Sequence, residues 1–313
     1  MVAMRLPPVS PLSAPRSSDR LTALMPFFNH LLCLIAETPP SSAALQQATA
    51  LADAFGATLD VGRLDGVPPQ AVDAALHAVE ELDAGPPMAD RWESHASPDG
   101  AIDALANYVQ ETNVDLIVTD TPADRGPIPL LAASPLQPLV HRLNCSLLVV
   151  EQQTPLPAPD RILVPTDLSP SSRTALECAA ALAAPHHTSI DLLHVLETVP
   201  YVALTRLDRL SFSHTSFPER RARRQMEAFL DDGVAPPLAV TPHVEYGDPA
   251  DQIGRFLHRH PTDLMILGAH GTSTAPPPLG PVADRVLRRV TCPLLLLRAP
   301  SSRTLPITAG PPH

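Results

Sequence analysis

Apolar residues gather in short runs along this chain, and between the runs they recur at helical spacing. The pattern is clearest in the second half. Residues 161–169 read RILVPTDLS, residues 190–196 read IDLLHVL, and two further apolar stretches cover 263–267 and 293–298. Leu238 to Glu245 alternates apolar and polar positions. Short runs of this kind are strands, buried on both faces where they are continuously apolar. Between them lie an Ala/Leu-rich stretch over 171–184, a stretch over 218–231 with Ala222, Met226, Phe229 and Leu230 on one face, a stretch from Asp248 to His260, and a last one over 281–290. These are expected helices. Ser169-Pro170 and Asp248-Pro249 give two of them a capping side chain followed by a proline at the first helical position. Alternating strands and helices imply a parallel sheet covered on both faces. Ligands in such sheets lie beyond the carboxyl ends of the strands, where the strand order reverses.

Two features fall at such carboxyl ends. The first strand runs into Asp167. The fourth runs into Gly268-Ala269-His270-Gly271, with Gly280 just before the last helix. Glycines between a strand end and a helix start allow close backbone approach. The helix start adds free N–H groups and a partial positive charge, so the segment suits a phosphate. His270, inside this loop, is a candidate phosphate contact or a solvent-facing side chain.

The blocks ILVPTDLSPSSRTAL, LLHVLE, GDPADQI, TDLMILGAHG and CPLLLLR together resemble the universal stress protein (UspA-type) domain, over residues 159–299. The resemblance implies a Rossmann-like α/β fold with a five-stranded parallel sheet in the order 3-2-1-4-5. Some members of the family bind ATP and others do not. In the binders, a Gly, two residues, Gly, nine residues, Gly, Ser/Thr pattern contacts the nucleotide together with an aspartate ending the first strand. Carried onto this chain, that implies Asp167, Gly268, Gly271 and Gly280 as nucleotide contacts, with His270 beside them. The chain departs from the pattern. Only residues 272–279 separate Gly271 from Gly280, Pro281 occupies the Ser/Thr position, and Pro276-Pro277-Pro278 stiffens the loop. Proline supplies neither a hydroxyl nor an N–H.

The first half repeats the second. Set without gaps, Leu31–Leu64 against Ile162–Val195 matches Pro39 with Pro170, Ser41 with Ser172, Ala44-Leu45 with Ala175-Leu176, Leu51-Ala52 with Leu182-Ala183 and Asp60 with Asp191. Further on, Asp115-Leu116 matches Asp263-Leu264, Arg142 matches Arg289 and Cys145 matches Cys292. The chain therefore reads as two tandem universal stress protein domains at 29–152 and 160–299. A segment over 153–159 links them, and disordered stretches are expected at 1–28 and 300–313. The first domain has lost the site: Ala36 stands for Asp167, and Asp120, Ala123 and Ala133 stand for the three glycines, although Ser134 remains. Each domain ends in an apolar strand, Leu147–Val150 and Leu294–Leu297. An exposed apolar edge invites aggregation, so these two are expected to pair with each other, antiparallel as the family resemblance implies.

Composition narrows the function. The 313 residues are 44% hydrophobic but only 4% aromatic, so two cores must be built mainly from Ala, Val, Leu and Ile. The net charge of −11 argues against a nucleic-acid or anionic-membrane surface. No apolar run reaches the length of a membrane span, and the first residues lack the apolar core of a secretory signal. Cys33, Cys145, Cys178 and Cys292 form no C-x-x-C pair and read as small buried residues of a reducing cytoplasm. His186-His187 and His258/His260 lie near helix ends and lack metal-ligand spacing. The Arg220, Arg221, Arg223 and Arg224 cluster reads as a solvated helix face rather than an anion site, and Ser169 as a cap rather than a nucleophile. With no acid–base pair, nucleophile elbow or metal triad, the sequence points to a cytoplasmic stress-response binding or regulatory protein. ATP or AMP is its candidate ligand, and any magnesium would be associated with that nucleotide. The expected assembly is an intramolecular pseudo-dimer, with room for a further homo-oligomer. An interaction scaffold without nucleotide and a weak ATPase remain alternatives.

Overall fold

The computed structural model of the chain describes residues 27–35, 43–63, 91–93, 98–120, 140, 142–143, 145–151, 156–186, 188–197, 216–231, 239–270, 279–289 and 292–298. In chain order the elements are β1 (His30–Ile35), α1 (Ala43–Phe55), β2 (Thr58–Arg63), β3 (Arg91–Glu93), α2 (Pro98–Thr112), β4 (Leu116–Asp120), β5 (Ser146–Val150), β6 (Arg161–Thr166), α3 (Pro170–Ala183), β7 (Ser189–Leu196), α4 (Ser216–Asp231), β8 (Val240–Tyr246), α5 (Pro249–Arg259), β9 (Leu264–Gly268), α6 (Pro281–Leu287) and β10 (Leu294–Leu297).

All ten strands join one sheet in the order β3-β2-β1-β4-β5-β10-β9-β6-β7-β8. Read inward from either edge, each half is a parallel 3-2-1-4-5 arrangement, as the family resemblance implies. The halves meet where β10 runs antiparallel to β5, with Leu294 opposite Val149, Leu295 opposite Leu148 and Leu296 opposite Leu147. The two apolar end strands thus cover each other, the arrangement their exposed edges demanded.

Side chains alternate across this seam, and both faces are sealed. One core holds Leu31, Leu148, Val150, Ile162, Leu295 and Leu297 under residues of α1, α3 and α4. The other holds Leu32, Leu147, Val149, Leu163, Leu294 and Leu296 under residues of α2, α5 and α6. Each core runs through both halves. Fully burying one such aliphatic side chain contributes about 1.5–3 kcal/mol, so the seam is a major source of stability.

The amino ends of the two central strands are anchored alike. Asp115 accepts the backbone N–H groups of Asn29 (2.8 Å) and His30 (3.2 Å). Asp263 accepts those of Asp160 (3.0 Å) and Arg161 (2.9 Å). The predicted caps are also present. Ser169 accepts the Ser172 N–H at 3.2 Å, and Asp248 accepts the Asp251 N–H at 3.1 Å, each before a proline at the helix start. Two boundaries differ from expectation. The last helix stops at Leu287 rather than 290, because a turn at Arg288-Arg289 leads the chain back toward β10. The third strand of the second half starts at Val240 and includes Tyr246, following its register with β7 from Ile190 to Leu196.

Candidate functional site

The second half reverses its strand order between β6 and β9, which lie side by side with Ile162 opposite Leu264 and Leu163 opposite Met265. β7 leaves β6 on the other side. The crevice beyond the carboxyl ends of β6 and β9 is therefore the place where this topology receives a ligand.

Asp167 sits at its rim, exposed, as the first residue after β6. The turn that carries it is tightly bonded. Asp167 Oδ1 accepts the Ser169 N–H at 3.0 Å, and Thr166 Oγ1 accepts the Leu168 N–H at 3.0 Å. Thr166 Oγ1 also meets Ser172 Oγ at 2.9 Å, and the Thr166 carbonyl accepts a hydrogen bond from His194 Nδ1 on β7 at 2.8 Å. That last bond fixes the ring tautomer: Nδ1 carries the proton and, in the neutral ring, Nε2 is left as an acceptor. Between these bonds Leu168 is forced to φ +63, the left-handed region that side chains other than glycine rarely adopt. Strain of this kind persists where the surrounding structure over-determines the backbone, and it clusters at binding sites.

Gly268 ends β9 against the same turn. A Cβ placed on it would lie 2.6 Å from Ser171 Oγ and 3.1 Å from the Ser171 carbonyl carbon and oxygen, in the first turn of α3. Its glycine is thus required by strand-to-helix packing. Beyond it, Ala269 donates its N–H to the Leu297 carbonyl at 2.8 Å, and the buried Gly280 donates its own to the Ala269 carbonyl at 2.8 Å. This pair of bonds ties the loop after β9 to the start of α6. It also occupies the Gly280 N–H, so that group is not free for a phosphate oxygen. Pro281 is the first residue of α6 and has no N–H. His270 follows, half-buried and in contact with other groups of the protein. Gly271 lies outside the described residues, as do Pro276, Pro277 and Pro278.

Gly268 therefore lies against Ser171, in the helix that follows Asp167, and the Gly280 N–H is bonded to Ala269, the residue after Gly268. Sequence reasoning passed over Thr166, Leu168, Ser171, Ser172 and His194. Only the hydroxyl-rich TDLSPSS stretch hinted at the network. The bond from His194 crosses from β7 to β6 and leaves no local trace in the sequence.

In the first half, Asp120 ends β4 where Gly268 ends β9. It is buried, 8% exposed, and its charge is one cause that raises the Cys33 thiol above its usual range, after burial itself. Ala36, Ala123, Ala133 and Ser134 lie outside the described residues. Burial pushes Cys145 and Cys292 up to about 12 and raises Cys178 as well, so all four thiols are held protonated. His186 is exposed in the turn after α3, and His260 stacks on Phe256 with ring centroids 4.2 Å apart. His187 lies outside the described residues. Among the described residues, no three His, Cys, Asp or Glu side chains come together as a cation site, and no helix is long and apolar enough to cross a membrane.

Comparison with known proteins now decides the family of the second half. The model of the universal stress protein family matches residues 159–298. Residues 159–298 are a universal stress protein domain. A universal stress protein of Methanocaldococcus jannaschii is 26% identical over 145 residues, covering 45% of this chain and 82% of the relative. The likeness of fold extends across both halves. A functionally unknown protein of Pseudomonas aeruginosa PAO1 aligns with TM-score 0.66 and 15% identity over 87% of this chain and 93% of its own. A universal stress protein of Archaeoglobus fulgidus aligns with TM-score 0.51 and 16% identity over 85% of this chain and 98% of its own. The universal stress protein domain therefore carries the crevice, and the first half supplies a matching fold beside it.

Proposed function

We propose that the chain is a cytoplasmic stress-response regulatory protein that binds one adenine nucleotide, ATP or AMP, in the crevice of its second domain. The observation that carries this reading is Asp167, an exposed carboxylate at the strand-order switch on a turn held by four hydrogen bonds and a left-handed Leu168. A carboxylate there suits the hydroxyl or amino donors of a nucleoside. The phosphate end of the site fits less well. The Gly280 N–H is engaged by Ala269, Pro281 has none, and His270 already has a contact within the protein. Each missing charge-assisted hydrogen bond lowers affinity about ten- to a hundredfold. In this reading ATP gains little over AMP, and binding is weak, on the order of tens of micromolar. The domain limits 29–152 and 160–299 belong to the same reading.

The engaged Gly280 N–H also favours a second reading, an interaction scaffold without nucleotide. One experiment separates the two, and a weak ATPase from both. The purified protein is incubated with ATP, and bound nucleotide and products are analysed by mass spectrometry. The proposal expects unhydrolysed nucleotide at up to one per chain. Titration should then show Asp167→Ala weakening binding by about 1–3 kcal/mol, the loss of one ligand hydrogen-bond partner. Two equivalent sites, or full affinity after Asp167→Ala, would overturn the assignment.

A further inference from the structure

A cationic face on α4 stands out in a chain whose net charge is −11. The helix buries Ala222, Met226 and Phe229 against the sheet, and Arg220, Arg221, Arg223 and Arg224 project from it as exposed residues. Arg220, Arg221 and Arg224 make no hydrogen bond or ion pair among the described residues.

The arrangement works against the helix that carries it. Arg220 and Arg224 are four residues apart, and Arg220–Arg223 and Arg221–Arg224 are three apart. Like charges at those spacings repel and destabilise a helix. Of the helix's acids, Glu219 directly precedes the arginines, while Glu227 is exposed further on and Asp231 closes the last turn, where the helix dipole favours a cation instead. Several other arginines among the described residues are paired with acids. Arg288 pairs with Asp284 four residues before it, and Arg259 with Glu245. Arg223 has a contact within the protein, but Arg220, Arg221 and Arg224 have none among the described residues, which points to a use outside the fold.

We propose that the Arg220–Arg224 face of α4 docks a short acidic segment of a partner protein. Guanidinium groups bind carboxylates with two parallel hydrogen bonds, and three within five residues that have no partner among the described residues form a fork-rich surface for them. The residues span about 6 Å along the helix axis at its usual rise, which matches a few successive carboxylates. The size also selects the partner. A nucleic-acid duplex or an anionic vesicle extends well beyond the patch and meets the chain's excess negative charge, whereas a short acidic segment touches only the helix. This proposal does not depend on nucleotide binding.

The test uses the full chain and a fluorescein-labelled glutamate-rich peptide of about ten residues, followed by fluorescence anisotropy. Binding should be present at low ionic strength and weaken about tenfold as salt shortens the screening length. It should fall by a similar factor in the triple variant Arg220→Ser, Arg221→Ser, Arg224→Ser, and hold in a control variant Arg255→Ser, Arg288→Ser, which removes exposed arginines elsewhere. Arg221→Glu alone, with folding checked by circular dichroism, gives the same readout from a single exposed change. Equal binding by the triple variant, equal loss in the control, no binding by the parent, or tighter binding of duplex DNA or phosphatidylserine vesicles than of the peptide would each overturn the proposal.

Discussion

The two halves agree at one end of the sheet and diverge at the other. At the amino ends, Asp115 and Asp263 take the same two backbone N–H groups in their own halves. Asp60 and Asp191, which align in the repeat, both serve as buried carboxylates on the second strand. Their partners have been exchanged. Asp60 accepts from Tyr108 Oη at 2.5 Å and meets His30 Nε2 at 2.7 Å, whereas Asp191 meets His243 Nε2 at 2.8 Å and Arg161 Nε at 3.7 Å. His30 and Arg161 occupy the same place in the repeat, so the acid was kept while its partner changed. At the carboxyl ends, a buried Asp120 stands where the other half has Gly268. Bonds that hold strands in place are retained in both copies, and the glycine that ends the fourth strand is present in one.

The seam is the part that neither half can do without, and disturbing it has the largest expected effect. Leu148 and Leu295 face each other across it and are 1% and 3% exposed. Leu148→Ala and Leu295→Ala should each destabilise the chain by about 2–5 kcal/mol. Because the two side chains pack in the same core, the double variant should depart from additivity by at least about 0.5 kcal/mol. Urea unfolding of the four proteins checks both statements. Strict additivity would mean that the halves are energetically separate.

Next in size is an exchange of the residues that differ. Gly268→Asp gives the second half the first half's residue. Its Cβ would meet Ser171 Oγ at 2.6 Å and the Ser171 carbonyl at 3.1 Å, so the hydroxyl must turn away and the start of α3 must give by a few tenths of an ångström, for an expected loss of about 3 kcal/mol. The reverse exchange, Asp120→Gly, should be milder, about 1 kcal/mol, from the freedom glycine brings to a strand. Thermal melting of both variants tests the asymmetry. If Asp120→Gly were the more damaging, the buried carboxylate would be a structural keystone of the first half.

Much of this comparison was legible in the sequence, and the reason is locality. Strands buried on both faces appear as continuous apolar runs, so SLLVV over 146–150 and LLLL over 294–297 announced themselves. Their exposed edges implied the pairing that joins the halves. Ser169 and Asp248 declared their caps through the proline that follows each. The finer features depend on distant parts of the chain. Leu168 adopts a positive φ with no glycine to signal it, because the bonds around Thr166 impose it. Gly280 looked like an open cradle residue, but its N–H is taken by Ala269, which only the fold brings within reach.

The shared amino-end anchors give a smaller and more even effect. Asp115→Ala and Asp263→Ala each remove the acceptor of two backbone N–H groups at the start of a central strand, worth about 1–3 kcal/mol. The two losses should agree within about 0.5 kcal/mol if the halves use the same device to the same degree. Amide hydrogen exchange sharpens this: protection should fall at Asn29 and His30 in the first variant, and at Asp160 and Arg161 in the second. Loss of protection in the wrong half would break the correspondence.

The smallest effect is an acid dependence confined to the second half. Asp248 caps α5 and also accepts from the Arg285 guanidinium, which holds its carboxyl well below the usual carboxylate range, at about 2. A carboxyl with a depressed folded-state pKa contributes stability that is full above its unfolded value, near about 3.9, and is lost as pH falls through the folded one. The window is therefore about pH 4 down to about pH 2. The two side chains are 39% and 43% exposed, so solvent screens the pair and the contribution stays modest. In the first half, α2 likewise starts at a proline, but the residue before it in sequence is Ser97, which carries no titratable group. Asp248→Asn keeps a capping side chain and removes the charge. Its urea midpoint should lie below that of the parent above pH 5, and the gap should close as the pH falls toward 2. A gap that is unchanged at pH 2 would show that the carboxylate acts through its shape as a cap and that its charge contributes nothing.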